Sequence, residues 1–233
     1  MNLCRPLLMA WIFLSTFAIL LFLAHATDAQ SVKAKEFLES ICGDWIGTWD
    51  HTTNGEKVDS RYFHVRFKRT TDNTYDSLFT YYRLDVSSNT LVPYGETSIV
   101  CKVGPDGKIT NYIKGNGTVL VDNKSKPQKH ELIEVLTGTD DTTWTGSGSG
   151  KIQVDDLPFG VGKNGRVHRA TSVWSLNGDT LTITETLHAQ FKVLFFSKDF
   201  VIEANAKAER GKDVASLIGK GTRIAERRTD RPS

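Results

Sequence analysis

Hydrophobic and polar residues alternate with a period of two through most of this chain. From Arg61 to Arg69, Phe63, Val65 and Phe67 share one face, and Tyr62, His64, Arg66 and Lys68 share the other. From Thr180 to Gln190, Leu181, Ile183, Leu187 and Ala189 oppose a face of threonines that ends in His188. From Phe200 to Glu209, Phe200, Ile202, Ala204, Ala206 and Ala208 oppose Val201, Glu203, Asn205, Lys207 and Glu209. Such alternation belongs to strands of a sheet with one packed face. Further strands are predicted at Trp45 to His51, Tyr75 to Val86, Ser98 to Val103, Lys108 to Ile113, Thr118 to Asp122, Glu131 to Thr137, Thr142 to Val154 and Val167 to Leu176. Turn-forming residues separate them, most clearly Asn177-Gly178-Asp179 within a hairpin.

Only two short helices interrupt this pattern. Ser31 to Cys42 groups Val32, Phe37, Leu38 and Ile41 at helical spacing, and Gly43 ends it. Asp213 is placed to cap a turn through Val214, Ala215, Leu217 and Ile218. Nine to eleven strands at hairpin spacing predict an all-β, antiparallel up-and-down barrel, because closing the sheet removes its edges. A β-sandwich is the alternative.

Residues Leu7 to Ala24 carry no charge and follow Arg5, and small-x-small sites end at Ala26 and Ala29. This is the pattern of a cleaved signal peptide over residues 1–29, leaving a barrel domain over 30–210 and a basic tail over 211–233. An uncleaved signal anchor is the alternative, since the run reaches the lower limit for a spanning helix. Export would leave Cys42 and Cys101 in an oxidising compartment. A disulfide between them is expected, closing a loop of about 60 residues worth about 4 kcal/mol. Asn116 and Asn123 begin N-x-S/T sequons, which are glycosylation sites in a eukaryotic host.

Composition narrows the function classes. Of 233 residues, 39% are hydrophobic and 24% charged, with a formal charge of +2, so no global field argues for nucleic acid. After signal removal no membrane-spanning run remains, and a monomer or weak oligomer is expected. Neither mature cysteine has a further ligand at metal spacing, and Asp140-Asp141 and Asp155-Asp156 read as solvated loop pairs. Gly146-Ser147-Gly148-Ser149-Gly150 suits a bent or bulged strand better than a nucleophile elbow.

The segment Ile41-Cys42-Gly43-Asp44-Trp45-Ile46-Gly47-Thr48-Trp49 carries a family cue. A short helix leading into Gly-x-Trp on the first strand resembles the lipocalin and calycin barrels. Gly47-Thr48-Trp49 is also similar to the opening of nitrobindin-like barrels. The lipocalin resemblance implies a basic residue over the first tryptophan, with Arg210 and Arg223 as candidates. Nitrobindin-like barrels hold haem through one histidine on a late strand, which points to His188. That residue shares a face with threonines, so no cofactor is expected.

A closed barrel of eight or more strands can enclose one small ligand. Trp45, Trp49, Phe79, Tyr81, Ile183, Glu185, Ile202 and Ala204 are expected to line or close its lumen. The second apolar face of Tyr75 to Val86 is expected to pack against a helix. Glu185 lies between Ile183 and Leu187, where an unpaired carboxylate costs several kcal/mol. It can orient a ligand, pair with an arginine such as Arg169, or reach a rim. These features predict non-catalytic binding of a small lipophilic or amphipathic molecule. The alternatives are an isomerase or hydrolase using Glu185 with a histidine, and a filled barrel that recognises protein or glycan by its outer face.

Overall fold

A computed structural model describes residues 29–121, 124–155, 161–193, 196–219 and 223–224. The expected signal peptide core, the Asn123 sequon and the last residues of the tail lie outside them. A helix, α1 (29–40), precedes ten long antiparallel strands. These are β1 (Gly43–Thr53), β2 (Glu56–Thr71), β3 (Thr74–Asp85), β4 (Thr90–Val103), β5 (Ile109–Val121), β6 (Lys124–Gly138), β7 (Thr143–Val154), β8 (Val161–Asn177), β9 (Thr180–Val193) and β10 (Phe196–Arg210). Each long strand pairs with its neighbours in sequence, β4 with β5 included, and β1 pairs with β10 to complete the ring. The sheet is therefore an up-and-down barrel. The two strands predicted from Lys108 and from Thr118 merge into one, β5, because the intervening Gly115 and Gly117 continue the ladder opposite His130 and Gln128.

The inward faces follow the alternation of the sequence. Phe63, Val65 and Phe67 on β2, Leu181, Ile183 and Ala189 on β9, and Ala204, Ala206 and Ala208 on β10 are all buried. One end of the barrel is filled. Phe37 and Leu38 of α1, with Ile41 directly after it, join Trp45, Phe67, Tyr75, Cys101, Trp144 and Trp174 in a single core. Trp45 anchors it, donating from Nε1 to the Ile41 carbonyl at 2.8 Å. Arg210 lays its guanidinium over the Trp45 ring, 4.4 Å from the centroid, and donates to the Cys42 and Ser40 carbonyls at 3.0 and 2.5 Å. Of the two basic candidates, Arg210 therefore occupies the position over the tryptophan.

Gly47 has no room for a side chain. A Cβ there would collide with the Lys207 carbonyl of β10 and with the Phe63 ring. Its bareness lets β1 and β10 meet at the seam where the first and last long strands close the barrel.

Three expectations change. Cys42 and Cys101 are free thiols, so the expected disulfide is not formed. Cys101 is held in the ladder between Tyr75 and Asn111, while the Cys42 backbone is gripped by Arg210. Burial raises both thiol pKa values, which favours the protonated form, and shields Cys101 more completely than Cys42. The outer face of β3 does not pack on α1, which sits at the barrel's end. Tyr82 and Leu84 instead cover Val214 and Ala215 of a 3-10 turn, Val214–Leu217, beside Ile46 and Leu91. The Asp213 side chain caps that turn by accepting from the Ala215 amide at 3.1 Å, as its sequence position suggested. A two-residue strand, β11 (Arg223–Ile224), then runs parallel to β4. Arg223 therefore lies away from Trp45.

A half-open polar lumen as the candidate functional site

Beyond the filled end, the inner wall changes from apolar to mixed. Phe79 and Ile183 are buried and form the floor. Above them Trp49, Arg61, Tyr81, Tyr94, Ile113, His130, Glu185, Leu187 and Ile202 are only partly covered, although most lie on the inward face of their strands. Side chains that point inward yet keep free surface mark a lumen rather than a packed core.

The aromatic wall is built on β1 and β3. Trp49 meets Phe63, Phe79 and Tyr81 edge-on, with centroids 6.1, 6.4 and 5.5 Å apart. A register shift at Tyr81/Tyr82 brings the extra residue of β4, Tyr94, to 6.1 Å from Tyr81. Arg61, the ladder partner of Trp49, stacks over the Tyr94 ring at 5.0 Å.

The polar wall faces it from β5 to β10 and from the end of β1. Ala204 pairs with His51 on one side and with Glu185 on the other. Glu185 in turn pairs with Ser172 of β8. Glu134 on β6 is buried and accepts from Asn111 Nδ2 at 3.2 Å. His130 Nε2 lies 3.4 Å from the Thr97 hydroxyl. Gly146 leaves the gap into which Glu134 and Ser172 project, since a Cβ there would meet both side chains.

These surroundings suppress charge. Burial, helped by the nearby Glu134 carboxyl, pushes Glu185 up to about 8. Burial also raises Glu134, against hydrogen bonds from Ser172 and Asn111. Burial brings His51 and His130 down to about 4, with Arg61 adding to the effect at His51. The Tyr81 phenol is raised by burial. At neutral pH the lumen thus holds a protonated Glu185, two neutral imidazoles and the Arg61 cation. His51 Nδ1 and Asn111 Oδ1 are buried without a hydrogen-bond partner. Such atoms cost about 1–3 kcal/mol each unless something supplies a partner.

The structure brings Trp49, Phe79, Tyr81, Ile183, Glu185, Ile202 and Ala204 to one lumen, while Trp45 lies in the core that closes its far end. Glu185 does not pair with Arg169, which a register shift between Val167 and Arg169 leaves exposed. His188 lies 6.0 Å from the exposed His168 and extends the alternation of β9 on the face opposite Leu187 and Ala189. It is placed away from the lumen. Among the described residues no group of three His, Cys, Asp or Glu side chains could hold a metal ion.

Sequence reasoning missed His51, Arg61, Tyr94, Asn111, His130, Glu134 and Ser172. His51 continues the inward series of Trp45, Gly47 and Trp49, and Arg61 extends that of Phe63, Val65 and Phe67. Glu134 stands between Leu132 and Leu136 much as Glu185 stands between Ile183 and Leu187. Its neighbours Ile133 and Val135 are exposed hydrophobic residues, and they hid the alternation of β6.

No protein family profile and no curated protein matches this sequence. Among solved structures, the chain is similar to the crystal structure of Rv2717c from M. tuberculosis, with 14% identity and a TM-score of 0.49, covering 77% of this chain and 98% of that one. It is also similar to a redesigned β barrel, with 11% identity and a TM-score of 0.29, over 76% of this chain and 96% of that one.

Proposed function

We propose that this chain is an exported barrel that binds a small amphipathic molecule in the open half of its lumen. The observation that supports this reading is the inner wall: inward side chains with free surface, beside buried polar atoms such as His51 Nδ1 that have no partner. A bound molecule would cover the first and pair with the second. The uncharged run of Leu7 to Ala24 supports export. The exposure of Asn116 on β5 supports glycosylation there in a eukaryotic host.

Native mass spectrometry of the purified protein, before and after denaturation, tests the reading. A discrete adduct lost on denaturation is the expected result. Ala204→Trp, which fills the space between His51 and Glu185, should abolish the adduct while the barrel remains folded. Binding that survives this substitution would place the ligand elsewhere.

One arrangement favours a catalytic second reading. Glu185 and His51 flank Ala204 in register, so their strands stand about 10 Å apart. A carboxyl that exchanges its proton near pH 8 beside a neutral imidazole is a usable acid–base pair. Turnover of a bound compound that Glu185→Gln abolishes without loss of binding would establish it. The free inner surface counts against a filled barrel that works only by its outer face.

A further inference from the structure

Among the described lumen residues, Arg61 is a cation with no carboxylate partner. It stands two residues before Phe63 on the inward series of β2, beside its ladder partner Trp49. Its guanidinium lies over the Tyr94 ring, and among the described residues no carboxylate pairs with it. A cation inside a barrel ordinarily has an anionic partner, because water cannot fully solvate it there. The described groups around it supply none. His51 and Tyr81, which both sense its field, are a neutral imidazole and a phenol. Glu185, which also acts on Tyr81, carries its proton at neutral pH. His51 adds an independent sign of a missing occupant, since its side chain is only 8% exposed and its Nδ1 has no partner.

Resting on the lumen-binding reading above, we propose that Arg61 holds the head group of the ligand and that this ligand is a compact, ring-bearing monocarboxylate. One guanidinium neutralises one negative charge, so a dianion such as a phosphate monoester would leave charge buried and uncompensated. The planar fork of arginine matches a planar carboxylate through two parallel hydrogen bonds. The body follows from the walls and from the depth. Trp49 and Tyr81 present ring faces and edges beside Arg61, which favour an aromatic body. The other half of the barrel is packed solid by α1, Trp45, Trp144 and Trp174. From Trp49 to the end of β1 the strand rises about 13 Å, or about 10 Å along a tilted barrel axis. That depth accepts one or two fused rings and excludes an extended long acyl chain.

Isothermal titration calorimetry at pH 6.5 with 2-naphthoate and its neutral isostere 2-naphthamide tests this. The wild-type chain should bind the carboxylate at least about tenfold more tightly than the amide. Arg61→Met should bring the carboxylate down to the affinity of the amide and leave the amide unchanged, while Arg61→Lys keeps part of the preference. Urea midpoints of both variants confirm that the barrel is intact, and Arg61→Lys serves as the test if Arg61→Met does not fold. Equal binding of the two compounds by the wild type overturns the inference but leaves the lumen reading standing. So does a preference that survives Arg61→Met. If neither compound binds at millimolar concentration, the inference falls together with the lumen reading.

Discussion

Replacing Glu185 with Gln should change how the stability of this barrel depends on pH. In the unfolded chain the carboxyl titrates near 4.5, and in the lumen it holds its proton to about 8. Between these values unfolding releases a proton, so stability falls as pH rises. His51 and His130 act in the opposite sense and in another window. Their folded values near 4 lie below 6.5, so they remove stability as pH falls through 6.5, and their slope dies away over about one pH unit above it. Both histidines are present in wild type and variant, so the difference between the two proteins from pH 6.5 to 8 isolates the carboxyl. At about 1.4 kcal/mol per pH unit, Glu185 costs the wild type about 2 kcal/mol across that interval. This is a large share of the roughly 5–15 kcal/mol that stabilises a typical domain. Urea unfolding of wild type and Glu185→Gln at pH 6.5, 7.2 and 8 reads the difference directly. The variant should gain on the wild type by about 2 kcal/mol over the series. Parallel stability curves would refute the placement of Glu185 in a desolvated lumen.

Further outcomes follow from the closed end and the seam. Arg210→Ala removes the guanidinium from Trp45 together with two backbone contacts, and should cost about 2–3 kcal/mol in urea unfolding, with Arg210→Lys recovering only part. Gly47→Val places a side chain against the Lys207 carbonyl, so the barrel should fail to close and the protein should appear in the insoluble fraction on expression. Cys101 should resist a thiol reagent in the native state and react on unfolding, with Cys42 modified first; a mass two units low in the native protein would mean a disulfide instead. Asp213→Ala should loosen the 3-10 turn by about 1 kcal/mol, visible as faster amide exchange at Ala215.

The sequence determined the strands, their inward faces and the barrel, because each alternating segment buries one face whatever its partner is. It also determined the short helix before Trp45 and the capped turn at Asp213, since both depend on residues within a few positions of one another. It pointed to Glu185 because a carboxylate between Ile183 and Leu187 breaks a local pattern. Glu134 broke the same pattern and stayed hidden, since Ile133 and Val135 are apolar although they face outward. Only the tertiary structure decided which inward residues fill the core and which line a space. Trp45 and Trp49 are four residues apart on the same face of one strand, yet α1 covers the first and the second stays only partly covered by the described residues. The meeting of Arg61 with Tyr94, and of His51 with Glu185 across Ala204, likewise joins residues more than thirty positions apart. Strand tilt and register set those encounters, and both are properties of the closed sheet rather than of any segment within it.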